Sequence, residues 1–250
     1  MKYNWNWGIF WQLSPDGRGT YLDTLIAGLG WTLATALSAW IIALILGVIV
    51  GVIRTTPVRG LRIFGDAWVE LFRNVPLLVQ MFLWFFVVPE LLPTSIGTWL
   101  KQLPHSAFYT AVVCLGLYTS ARVAEQTRAG IQSLAGGQRM AGIALGLTLP
   151  QTYRFVLLPM ALRIVLPPLT SEFLNVIKNS AVALTIGLME LTARARAMQE
   201  FTFQVFEAFT AATVIYIVIN IVVTFGMRWI ERRTSVPGFI GAAPAAAATH

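Results

Sequence analysis

Residues Thr24–Ile53 read TLIAGLGWTLATALSAWIIALILGVIVGVI, thirty positions without a charged side chain. About 20 apolar residues suffice to cross the hydrocarbon core of a bilayer, so this run spans with tilt to spare. It stops abruptly at Arg54, Pro57, Arg59 and Arg62. The rest of the 250-residue chain has the same character, with 56% hydrophobic and only 12% charged residues and a mean hydropathy of +0.69. A soluble domain carries roughly twice that share of charge, so a soluble enzyme and a disordered chain are both excluded. The reading is one all-α membrane protein.

Outward from the first span, the segment 1–23 holds Trp5, Trp7 and Trp11 with Pro15, Gly17 and Gly19. It has no apolar stretch followed by a small-residue cleavage site, and reads as an extracytoplasmic interfacial lead-in. A second span is expected from about Val69 to Leu92, opened by Glu70 and Arg73 and closed by Pro89 and Pro93. Phe108–Glu125 is the third span and Ala208–Trp229 the fifth. The Ala-rich residues 236–250 read as a flexible tail. Between these lies Arg128–Gln204, whose first part, Gly130–Arg163, is too polar and glycine-rich to span. Its second part, Ile164–Leu191, is apolar but broken by Pro167, Pro168, Glu172, Asn175, Lys178, Asn179 and Ser180.

Charge supplies the missing crossing. With the loops assigned to alternating sides, one side carries Arg54, Arg59, Arg62, Arg73, Arg128, Arg139, Arg154, Arg163, Arg228, Arg232 and Arg233, and the other only Lys2, Arg18, Lys101, Arg194 and Arg196. Positive charge marks the cytoplasmic side. The N-terminus is then outside and the C-terminus inside, which requires five crossings, Ile164–Leu191 being the fourth. The net charge of +7 is spent on topology, with no face for nucleic acid.

Soluble chemistry finds little support. Cys114 is alone, and His105 and His250 are far apart, so no metal-ligand spacing exists. No Gly-Lys pair provides a phosphate loop, so any nucleotide is bound by another chain. No nucleophile or acid–base pair stands out. An ion-gradient transporter would also carry intramembrane charges, but five spans give no internal repeat, and the cytoplasmic loop would have no purpose.

That loop, Gly130–Pro159, reads GIQSLAGGQRMAGIALGLTLPQTYRFVLLP. It is a helix–turn–helix: Gln138–Leu145 has helical composition, Gly146 suits a positive-φ turn, and Pro150–Val156 opens a second helix with proline in its first turn. Ala141, Gly142 and Ala144 are small, as a docking surface requires; an ordinary amphipathic surface loop is the plainer reading. The loop resembles the coupling motif of ABC importer membrane subunits, E-A-A, three residues, G, nine residues, I-x-L-P. Met140-Ala141-Gly142 stands at E-A-A, Gly146 at the glycine and Val156-Leu157-Leu158-Pro159 at the end, with Met140 in place of the glutamate. Glu70-Leu71-Phe72-Arg73-Asn74-Val75-Pro76-Leu77-Leu78-Val79-Gln80 resembles the opening of polar amino acid permeases. Ala161-Leu162-Arg163, Pro167-Pro168-Leu169, Glu172-Phe173 and Lys178-Asn179-Ser180-Ala181 resemble their later motifs.

The resemblance covers about 24–235 and is strongest to glutamate/aspartate import permeases. It implies the type I ABC importer permease fold and a pair of such subunits, this one and a paralogous partner or a second copy. It also implies two ATPase subunits, which hold the ATP and magnesium, and a periplasmic substrate-binding protein that delivers the amino acid. This chain would have neither catalytic residues nor a cofactor, and would lie in a bacterial inner membrane. The ATPase would dock on Gln138, Arg139, Met140, Ala141, Gly142, Ala144, Leu145, Gly146, Leu147 and Thr148.

Intramembrane polar residues mark the expected substrate path. Glu172 and Asn179 are two helical turns apart on one face, with Asn175, Lys178 and Ser180 near it; Thr119, Ser120 and Arg122 lie on the preceding span. Polar amino acid permeases often carry K-D-T-S where this chain has Lys178-Asn179-Ser180-Ala181, and S-A-Y where it has Ser120-Ala121-Arg122. Both departures favour an anionic substrate, whose side-chain carboxylate Arg122 would grip bidentately; glutamine or asparagine remains the alternative. The structural alternatives are neutralising pairs, Glu172–Lys178 or Glu125–Arg122, a boundary pair Glu70–Arg73, and Thr119 and Ser120 bonded only to their own helix.

Overall fold

The computed structural model describes residues 3–234 apart from 16, 18 and 135; the expected tail, 236–250, lies outside them. The described residues are almost entirely helical: α1 Tyr21–Ile53, α2 Arg59–Asn74, α3 Leu77–Leu91, α4 Thr94–Gln102, α5 Ser106–Ser133, α6 Gly136–Ala144, α7 Leu149–Ile186, α8 Leu191–Thr202 and α9 Val205–Thr234. Four of them, α1, α5, α7 and α9, are long and apolar enough to cross a membrane. A fifth candidate is the pair α2 and α3, which pass the same test only together and meet at a bend of 100°.

Three boundaries differ from the sequence reading. Glu70, Arg73 and Asn74 do not begin the second span; they belong to α2, whose apolar residues gather on one side and whose chain turns away at Val75-Pro76. Proline at 76 removes a donor and pushes Val75 into extended backbone, so the span starts only at Leu77. The fourth span likewise starts at Leu149 rather than Ile164. At 1.5 Å per residue, α7 is about 57 Å long, well beyond a hydrocarbon core of about 30 Å. That excess length leaves room for Arg154 and Arg163 outside the hydrocarbon, so their charge does not bar the helix. Finally, α5 runs on past Glu125 to Ser133.

Prolines inside these helices leave a repeated mark. A π turn at Leu83–Val87 precedes Pro89, and another at Tyr153–Leu157 precedes Pro159. Proline cannot donate to the ladder and its ring clashes with the carbonyl four residues back. The widened turn relieves both without ending the helix.

The core is a seam between α1 and α5. A Cβ on Gly47 would lie 2.5 Å from Val123 and 2.8 Å from the Ser120 carbonyl, and one on Gly51 2.6 Å from Thr127. From the other side, Gly116 faces Ile42 and the Ala39 carbonyl. Ala39, Ala43, Gly47 and Gly51 thus form one four-residue stripe that lets two backbones touch, the means by which helices pack where lipid removes the hydrophobic drive. At its C-terminal end Arg54, buried at the cap of α1, donates to Asp66 of α2 at 2.7 Å and to Glu125 of α5 at 2.8 Å. The sequence readings of Glu125 with Arg122 and of Arg73 with Glu70 give way to this cluster, in which Arg73 lies 3.9 Å from Glu125.

At the opposite end the N-terminal segment folds over α9. Tyr3 and the Asn6 amide donate to Glu207, which is buried in the first turn of α9. Trp5, Trp7 and Trp11 stay largely exposed, as aromatic side chains at headgroup level would.

Candidate functional site

Two regions carry the expected functional residues. The first lies midway along α5 and α7. Arg122 Nη1 is 3.7 Å from Glu172 Oε2, and Arg122 Nη2 donates to the Tyr118 hydroxyl, one turn earlier, at 3.0 Å. Glu172 is largely buried, with 13% of its side chain exposed, whereas 41% of the Arg122 side chain is accessible. The Glu172 Oε2 atom accepts no hydrogen bond. Charge is therefore compensated here without being locked in place, since 3.7 Å is an ion-pair distance and not a hydrogen bond. Asn175 and Asn179, both half-buried, follow Glu172 on the same side of α7 by helical phase.

The other expected residues go elsewhere. Lys178 is turned by about a third of a revolution from Glu172 and lines a separate cleft of about 610 Å³ between α7 and α9, with Asn220, Thr224 and Arg228. The expected Glu172–Lys178 pair is thus replaced by Glu172–Arg122. Ser120 donates to the Leu117 carbonyl at 2.6 Å and accepts from Trp68 Nε1 at 3.0 Å, tying α2 to α5. Ser180 donates to the Ile177 carbonyl at 2.7 Å, and Thr119 is buried.

A buried carboxylate escaped the sequence reading. Glu190 is wholly buried at the N-terminus of α8, where its side chain accepts from the Thr192 and Ala193 amides at 2.9 and 2.7 Å. The same carboxylate accepts from Tyr216 of α9 at 3.0 Å and from Thr32 of α1 at 3.4 Å. Burial pushes its pKa above the ordinary carboxylate value, although these donors pull the other way. An acidic residue directly before a helix is a capping signal, but its reach to α1 and α9 is not written in the sequence.

The second region is the elbow. Gly146 adopts φ +79°, a left-handed conformation that side chains other than glycine take up at a cost. Thr148 and Gln151 form a reciprocal capping box that starts α7, with Pro150 in its first turn. Of the small residues expected to meet a partner, Gly142 faces inward instead: a Cβ there would lie 2.9 Å from Thr152, so its smallness lets α6 lie against the base of α7. The outer face presents Met140, Ile143 and Leu145, all more than half exposed, together with Arg139, Ala141 and Ala144. Gln138 and Leu147 are half-buried at its edges.

The described residues form a bundle of long apolar helices with a loosely held charge pair inside it and an apolar elbow on its surface. The chain is a membrane transport subunit. It belongs to the family described as the inner membrane component of binding-protein-dependent transport systems, whose pattern matches residues 43–236. It is 49% identical over 244 residues to the glutamate/aspartate import permease protein GltJ of Escherichia coli K12, covering 96% of this chain and 99% of the relative. Identity to the probable glutamine ABC transporter permease protein GlnM of Bacillus subtilis is 34%, over 87% of this chain and 94% of that one. Among solved structures, an amino acid ABC transporter crystallised with histidines matches at a TM-score of 0.72 with 30% identity, over 85% of this chain and 95% of its own. The chain is thus a multi-pass inner-membrane permease component and not itself an enzyme. An ATPase and a binding protein are the partners of such a permease, and no cofactor belongs to this subunit.

Proposed function

We propose that this chain is the permease of an ATP-driven importer for glutamate and aspartate. The observation that carries the reading is full-length identity of 49% to a permease named for those two substrates. The Arg122 guanidinium, accessible and only loosely held by Glu172 at 3.7 Å, supports it. A substrate carboxylate arriving there gains a planar two-point donor, and Glu172 gives up a contact that was never a hydrogen bond. Asn175 and Asn179 add neutral donors on the same face, and Lys178 in the neighbouring cleft adds a second cation.

The elbow from Gln138 to Thr148 is the ATPase dock in this reading, its exposed Met140, Ile143 and Leu145 seated in a groove of the motor subunit. The basic ends of the spans favour a cytoplasmic elbow and C-terminus with an external N-terminus. A paralogous permease subunit completes the pathway. Coupling then has a mechanical route. The elbow helix α6 lies against Thr152, and the same helix α7 carries Glu172. Displacing the dock tilts α7 against α5 and changes the separation of Glu172 from Arg122, a switch between two packings.

The test is ATP-dependent uptake by the co-purified complex in proteoliposomes, with labelled glutamate, aspartate, glutamine and asparagine. Uptake of the two acidic amino acids, competed by each other and insensitive to collapse of ion gradients, is expected. Uptake of glutamine alone would move the assignment to the reading that the 34% identical relative favours.

A further inference from the structure

The helix α3 is short for a membrane crossing. Its fifteen residues, Leu77–Leu91, reach about 22 Å, against about 30 Å of hydrocarbon. The helix α4 lies over its outer end, where Gly97 approaches the Pro89 carbonyl so closely that a Cβ would stand 2.1 Å from it. Beneath α4, a slot of about 690 Å³ opens between α3 and α5. Its walls include Trp84, Phe85, Leu100, Tyr109 and Val113, and Glu90 and Lys101 also line it. These last two are paired with each other and well exposed. From Ser106 to Val113 the slot follows α5 inward for about 10 Å.

We propose that this slot holds one acyl chain of a zwitterionic phospholipid, with the headgroup phosphate on Lys101 and the headgroup ammonium on Glu90. An apolar cavity does not hold water, and at hydrocarbon depth it is filled by lipid or by protein. The charges at its mouth favour lipid. A helix from a second subunit would bury the Glu90–Lys101 pair and strip its water, a cost that ion pairing repays only in good geometry. A phospholipid leaves both charges at the interface and supplies each with a counter-charge. The reading is independent of which amino acid is transported.

The assembled transporter, reconstituted in nanodiscs of equimolar phosphatidylethanolamine and phosphatidylglycerol and released into detergent, tests this by native mass spectrometry. One phosphatidylethanolamine per copy of this chain is expected to remain. Val113→Trp, which fills the slot from a partly exposed position, lowers its retention by about tenfold or more. Glu90→Lys removes the acceptor of the headgroup ammonium and abolishes the preference over phosphatidylglycerol; being on the exposed rim, it decides the matter alone if Val113→Trp prevents assembly. Equal retention of both lipids by the wild type, or an unchanged preference in Glu90→Lys, overturns the proposal. So does efficient crosslinking of Lys101→Cys to a second permease subunit, which would put protein in the slot.

Discussion

Arg122 Nη1 stands 3.7 Å from Glu172 Oε2, joining the midpoints of two crossings that are fifty residues apart in the chain. Arg122 also keeps a bond to Tyr118, so the guanidinium is held in orientation from one side while its other edge is available. A pair arranged this way neutralises charge at rest and is open to exchange with a ligand carboxylate.

Arg122→Ala should lower uptake of acidic amino acids by about ten- to a hundredfold, the worth of one charge-assisted hydrogen bond. Co-purification with the partner subunits should be unchanged. Arg122→Lys retains the charge but not the planar fork, and uptake should fall between the two. Unaltered transport in Arg122→Ala would remove this residue from the substrate path.

Coupling should fail at the elbow without loss of assembly. Gly146→Val forces a β-branched residue into φ +79°, and Gly142→Val meets Thr152. Each is expected to reduce ATPase stimulation by loaded binding protein several-fold. Ala141→Cys should crosslink to the ATPase subunit. Normal stimulation in Gly146→Val would argue that the motor docks elsewhere.

The charge distribution predicts a sidedness that labelling can test. A cysteine at Leu145, 81% exposed, should react with an impermeant maleimide only in inverted vesicles that carry the permease without its ATPase, and one at Phe203, 78% exposed, only in intact spheroplasts. The reverse pattern would turn the bundle over and place the elbow away from ATP.

Glu190 should govern stability. Glu190→Ala leaves the Thr192 and Ala193 amides and the Tyr216 hydroxyl without their acceptor and should cost about 1–3 kcal/mol, read as a lower Tm of the purified complex. Its pKa is raised by burial, so the folded state holds the proton more tightly than the unfolded chain. The stabilisation at this site is then full below the ordinary carboxylate value and is lost as pH rises through the raised one. Glu190→Gln should flatten the part of the Tm profile that lies above the ordinary carboxylate value.

The α1–α5 seam should tolerate no added bulk. Gly47→Leu places atoms where Val123 already stands and should cost about 1–3 kcal/mol or more by overpacking. Gly30→Ala, with open space around it, serves as the control. Equal thermal stability of the two variants would mean that the helices are not held by close backbone approach.

The run Thr24–Ile53, the arginine clusters and the loop Gly130–Pro159 were enough to specify a membrane bundle of four to five candidate crossings and a turn hinged at Gly146. Those properties are local. Hydropathy sums over one segment, charge sits in one loop, and a turn needs one residue of the right φ. Only the folded chain decided that Glu172 faces Arg122 while Lys178 faces α9, that Gly142 packs inward, and that Glu190 reaches Thr32 and Tyr216. Each of these depends on how a rigid helix is rotated about its axis against a neighbour far away in sequence. Several oppositely charged partners are compatible with the same sequence, and close packing of the small-residue seam selects among them.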